Sequence, residues 1–154
     1  MQQQIAESTA QTVYLAILGR PATPGELDLW SARITTPSAR YMTKKLMKSE
    51  EYRQSGADAS DKSFVQAVIF NLFDREADAS ETASWLDVKS ARDLGNGGLF
   101  RAMLAEAKDS DIEARDAKLS LAQYATDAAR DGRYMPEDRI PPAGAVWPRM
   151  RRQS

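Results

Sequence analysis

This chain nearly repeats itself, and that constrains it more than any other feature. Thr12 to Trp30, TVYLAILGRPATPGELDLW, aligns with Ala67 to Trp85, AVIFNLFDREADASETASW, at a constant offset of 55. Val13/Val68, Arg20/Arg75, Ala22/Ala77, Glu26/Glu81 and Trp30/Trp85 coincide, while Tyr14/Ile69, Leu15/Phe70 and Leu18/Phe73 keep their bulk at the same offset. After a loop of different length the register resumes at 57, with Met42/Leu99, Leu46/Met103 and Met47/Leu104. A short unit present twice buries its apolar face against its neighbour, so the two copies are expected to form one body. A chain of 154 residues has room for one such core and not for two independent domains.

Within each copy the apolar residues recur at three and four, and no segment alternates with period two, so the elements are helices. The expected fold is all-α: two tandem three-helix units, residues 1–58 and 59–108, packed as one helical body, then a C-terminal helix over 109–130 and an extended Pro/Arg-rich tail over 131–154. The spacing predicts helices over about 2–18, 24–34 and 39–54 in the first unit, and over about 61–73, 79–91 and 98–108 in the second. Gly19-Arg20-Pro21 stops the first helix, and Thr23-Pro24-Gly25-Glu26 reads as a capping box with proline at the tolerant first position. Asp78 to Glu81 repeats the device without proline, and Ser110 to Glu113 reads as a further capping box.

Two zeros limit the chemistry. The chain has no histidine and no cysteine, which removes Ser-His-Asp triads, thiol nucleophiles, imidazole or thiolate metal sites and disulfides. Carboxylate acid/base work and hard-cation binding survive. The acidic runs at Ser49-Glu50-Glu51 and Asp109 to Asp116 invite such readings, and both read better as helix starts favourable to the dipole. DSDIEARD lacks the central glycine and terminal glutamate of a calcium loop. No catalytic, cofactor-binding or metal-ligating residue is therefore expected, and no cofactor.

The repeated residues have structural expectations. Trp30 and Trp85, each a turn inside a capped helix, are expected to anchor core packing. Arg20 and Arg75, at helix-turn junctions, are expected to bind terminal carbonyls or to pair with the carboxylate of the following helix. Lys44, Lys45 and Lys48 read as a wet helix face with Leu46 and Met47 inward. Gly95 to Gly98 lacks the context of a nucleotide loop and reads as a connection between helices. Counted from Arg130, the end of the chain carries six arginines against three acids, leaving it at +3 and the rest of the chain at −4. Its Arg133, Tyr134, Ile140, Val146, Trp147, Arg149, Arg151 and Arg152 are the candidate partner-binding residues.

The motif VYLAILGRPATPGELDLW followed by MTKKLMKSEEYRQ resembles an uncharacterised helical repeat domain of bacterial surface-layer, calcium-repeat secreted and virion-associated proteins. Leu18, Gly19, Arg20, Trp30, Ser49, Glu51 and Tyr52 carry the likeness. The second unit departs from it, with Asp74 for the glycine and no Ser-Glu-Tyr ending. A weaker similarity runs to the phycobilisome linker domains of cyanobacterial antennae. Both imply assembly and no enzymatic activity: a structural or adaptor protein docking with the protein subunits of a larger assembly, or with further copies of itself. The implied setting is a bacteriophage virion or the bacterial cell surface, reached from cytoplasmic synthesis by a non-Sec route, since the start MQQQIAESTAQTV has no signal-peptide pattern. No membrane insertion is expected. A nucleic-acid contact through the basic tail is the rival reading, disfavoured by a charge too small for a steep salt response. A carboxylate-based hydrolase is a remote third, for want of an acid/base pair.

Overall fold

The computed structural model describes residues 2–34 and 39–132. Among them every regular element is helical and none is a strand. Helix α1 (Gln2–Val13) widens into a π-helical turn, Tyr14–Leu18, and is followed by α2 (Pro24–Arg33), α3 (Arg40–Met47), α4 (Glu50–Gln54), α5 (Asp61–Phe73), α6 (Ala79–Ala91), α7 (Asn96–Ala105) and α8 (Asp109–Arg130). The candidate tail residues Arg133, Tyr134, Ile140, Val146, Trp147, Arg149, Arg151 and Arg152 lie outside the described residues.

The helix ends follow from local chemistry. Thr23 Oγ1 accepts from the Glu26 amide at 3.2 Å while the Glu26 carboxylate accepts from the Thr23 amide at 2.9 Å, so the expected capping box closes in both directions. Asp78 caps α6 by accepting from the Glu81 amide at 2.7 Å. The first long helix ends at Gly19 in the left-handed region (φ +70°), and α5 ends at Asp74 in the same conformation (φ +59°). Asp is one of the few non-glycine residues that tolerates that region, so the substitution seen in the sequence keeps the turn.

One apolar cluster gathers Leu15, Ile17, Leu27 and Met42 with Phe64, Ile69, Leu72, Leu99, Phe100 and Met103. Side chains from both halves of the chain thus share a single core. The π turn lies against α5, and α8 crosses α5, α1 and α2, tying the end of the chain to its beginning.

Three local expectations are corrected. The single helix expected over 39–54 breaks at Lys48-Ser49, because the Ser49 hydroxyl donates to the Leu46 carbonyl (2.6 Å) and accepts from the Tyr52 amide (3.2 Å), ending one helix and capping the next. Gly97 and Gly98 are not a connection but lie in the first turn of α7, where only Gly95 stands outside as the cap. A Cβ on Gly98 would come within 3.2 Å of Leu94 Cδ2, so the glycine permits a close approach. The Ser110 to Glu113 capping box does not form: α8 begins at Asp109 with Lys108 as its cap residue, and Ser110 is already helical.

Candidate functional site

The most elaborate chemistry is built around the two arginines. Arg20 leaves the π turn buried, at 7% exposure. Its Nε–H donates to Glu51 Oε2 (2.7 Å), Nη2–H to Glu51 Oε1 (3.0 Å) and Glu26 Oε2 (3.0 Å), and Nη1–H to Glu26 Oε1 (2.8 Å) and the Pro21 carbonyl (2.9 Å). A guanidinium has five N–H donors, and all five are used. Its charge also lies 5.2 Å from the Tyr14 ring centre.

Arg75 makes the same set. Nε–H and Nη2–H donate to Asp111 (2.9 Å each), Nη2–H and Nη1–H to Glu81 (2.6 Å each), and Nη1–H to the Glu76 carbonyl (3.4 Å). Each arginine therefore joins three segments: its own turn, the helix after it, and the start of a helix 31 or 36 residues further on. Pairing with the carboxylate of the following helix was legible in the sequence. The second carboxylates, Glu51 and Asp111, were not; they sit in the acidic runs assigned only to helix starts, and the nearest signal was their place in the first turn of α4 and α8.

Electrostatics follow the geometry. Burial alone would raise the Glu26 carboxyl, but hydrogen bonds from Arg20 and from the Thr23 amide outweigh it and hold the group below its ordinary value. Burial likewise opposes the Arg20 charge, and the bonds to Glu51 and Glu26 more than restore it, so its pKa is raised. Burial, with Glu26 nearby, pushes the Tyr14 phenol up to about 12; Tyr14 Oη accepts from Trp30 Nε1–H at 3.1 Å. Trp30 is thereby a buried anchor, as expected, whereas Trp85 is only partly buried at the edge of the core.

Two further polar sites hold α8. Lys118 Nζ, nearly fully buried, donates to the Phe70 (3.0 Å) and Asn71 (2.8 Å) carbonyls at the end of α5 and lies 3.5 Å from Asp74 Oδ1. Burial lowers its pKa, partly offset by Asp74. Thr126, on the same helix, joins the buried Gln11 at 2.7 Å. Each of these carboxylates accepts two hydrogen bonds from its arginine, so the clusters orient the helices that carry them. Among the described residues no group of acidic side chains could hold a metal ion, and no helix is long and apolar enough to cross a membrane.

Comparison with known proteins agrees with an uncharacterised domain. Residues 43–102, less than half of the chain, match the family described as Domain of unknown function (DUF4214). The matched stretch begins in α3, ends in α7, and contains Glu51, Tyr52, Arg75, Glu81 and Trp85. No curated protein and no solved structure matches the chain.

Proposed function

We propose that this protein is a non-catalytic structural or adaptor component, two copies of one helical unit that dock into a larger protein assembly, with a bacteriophage particle or bacterial surface as the setting. The observation that carries the reading is the duplicated arginine node. Five bonds in the same arrangement at Arg20 and Arg75 are what two copies of one unit would retain, and they commit both guanidinium groups to internal orientation. Among the described residues the carboxyls displaced from their ordinary values, Glu26, Asp28 and Glu106, are held low, the opposite of what a general acid needs.

The partner surface in this reading is the basic tail, acting on a body of opposite charge. Its test is size-exclusion chromatography with light scattering on the full chain and on a chain ending at Gly132, which keeps the Arg130–Asp28 pair that ties α8 to α2. The expected result is a fixed-stoichiometry complex with a subunit of the native assembly that is lost with the tail. Saturable hydrolysis abolished by one Asp or Glu substitution would overturn the reading.

A further inference from the structure

A face that is covered in the first half of the chain is open in the second. In the first half Gln11 is buried and closes a polar network: its Nε2–H donates to Thr126 Oγ1 (2.7 Å), its Oε1 accepts from the Ala22 amide (3.1 Å), and the Thr126 hydroxyl donates to the Ala22 carbonyl (2.7 Å). Thr126 is buried with its neighbours Ala122 and Ala125, small residues that let α8 approach closely. Leu15, one turn beyond Gln11, is fully buried.

Positions 55 further on present the same groups without the cover. Gln66 is exposed, Ala77 half-buried and Phe70 44% exposed. Among the described residues neither the Gln66 amide nor the Ala77 backbone has an intramolecular hydrogen-bond partner. With Ile17, Asn71 and Glu76 they line a groove of about 490 Å³.

We propose that this groove receives an α-helix of a partner protein, one carrying small residues three and four apart and a Ser or Thr hydroxyl, seated as α8 is seated on the first half. The hydroxyl would accept from Gln66 and donate to the Ala77 carbonyl, repeating the Gln11–Thr126–Ala22 set. Glu76 is the one ionisable side chain among the described residues lining the groove, so the partner helix is expected to set a Lys or Arg beside its small stripe. The chain's own α8 cannot serve, since Asp111 and Lys118 fix its first half to Arg75 and α5, and Thr126 and Arg130 fix its second half to the first repeat. The inference rests on the assembly reading and specifies the kind of element recognised.

A labelled peptide of residues 115–132 is the probe, since it carries Ala122, Ala125, Thr126, Arg115 and Lys118. Fluorescence anisotropy with the full chain should show saturable binding. Thr126→Val in the peptide and Gln66→Ala in the protein should each weaken it about ten-fold, the scale of one buried hydrogen bond. Ala67→Trp, at a half-buried position of the groove, should block it. No saturation overturns the proposal; so does binding indifferent to Gln66→Ala and Ala67→Trp, which would mean exchange with α8 on the first half. Preferential binding of a peptide of residues 133–154 would assign the groove to the chain's own tail, and a dimer dissolved by Ala67→Trp would assign it to a second copy; either overturns the partner helix. The assay contains no native partner, so its failure removes the groove assignment and leaves the assembly reading to the tail-truncation experiment.

Discussion

The two arginine nodes share one bonding pattern but differ in which member is buried, and that difference predicts a crossed result on mutation. At the first node the arginine side chain is 9% exposed, and its partners Glu26 and Glu51 are 31% and 47% exposed. At the second the arginine is 37% exposed and Asp111 only 10%. When an ion pair is broken, the cost is set by the charge left behind in low dielectric, about 3 to 5 kcal/mol for a fully buried orphan. Arg20→Met leaves carboxylates that water can reach, so about 2 kcal/mol is expected, most of it from the five lost hydrogen bonds. Glu26→Gln with Glu51→Ala keeps an acceptor for the Thr23 amide but strands a guanidinium that cannot lose its proton, and should cost about 3 to 5 kcal/mol. At the second node the order inverts. Arg75→Met strands the Asp111 carboxylate and should cost about 2 to 3 kcal/mol, softened by its place in the first turn of α8. Asp111→Ala leaves an arginine already open to solvent and still paired with Glu81, about 1 kcal/mol after screening. Urea unfolding followed by circular dichroism at 222 nm measures all four. If Arg20→Met costs as much as the double carboxylate variant, or Asp111→Ala as much as Arg75→Met, the burial argument is wrong.

Four other outcomes follow from single sites. Lys118→Met should destabilise by about 2 to 4 kcal/mol, because it removes the donor to the Phe70 and Asn71 carbonyls and the charge 3.5 Å from the buried Asp74 carboxylate; thermal melts decide. Gly19→Ala should cost about 1 to 2 kcal/mol, because φ is +70° and the new Cβ would meet Asn71 Oδ1 at 3.0 Å, whereas Gly25→Ala, with nothing within 4 Å, should not destabilise the fold; urea midpoints compare them. Burial pushes Tyr14 and Tyr52 to about 12, and Asp58 adds to the effect on Tyr52. Folding therefore retains their protons, so stability is complete below about pH 10 and is lost as pH rises from 10 through 12; absorbance at 295 nm should show two phenols titrating late, together with unfolding. Glu26 is depressed, so its contribution is present above the ordinary carboxyl value near 4.5 and falls as pH drops through the lower folded value, a dependence that Glu26→Gln should remove from acid-unfolding curves.

Much of the helical layout was legible because it is governed by groups a few residues apart. The spans of about 61–73 and 79–91 were legible from periodicity, the second also from the Asp78 cap, and the Thr23 box from four letters, whereas the Ser60 cap of α5 was not read. The capping residues failed as signals where tertiary contacts competed. Ser110 is the example: Asp111, the next residue, reaches Arg75, and the helix starts two residues earlier than its apparent cap would place it. Nothing in Tyr14-Leu15-Ala16-Ile17-Leu18 marks a π turn, for the equivalent Ile69 to Phe73 is ordinary α-helix.

The sequence by itself determined the helical class, the helix stop at Gly19 and the pairing of each arginine with the glutamate six residues on, because each depends on backbone geometry and hydrogen bonds within about two turns. Tertiary structure alone decided that Glu51 and Asp111 complete the nodes, that Lys118 closes the end of α5, and that Gln11 is sealed by α8 while Gln66 is left open. Those outcomes depend on which surface a helix meets across 31 to 115 residues of chain, and two residues of the same type at equivalent positions, such as Gln11 and Gln66, are identical in sequence terms until packing covers one of them.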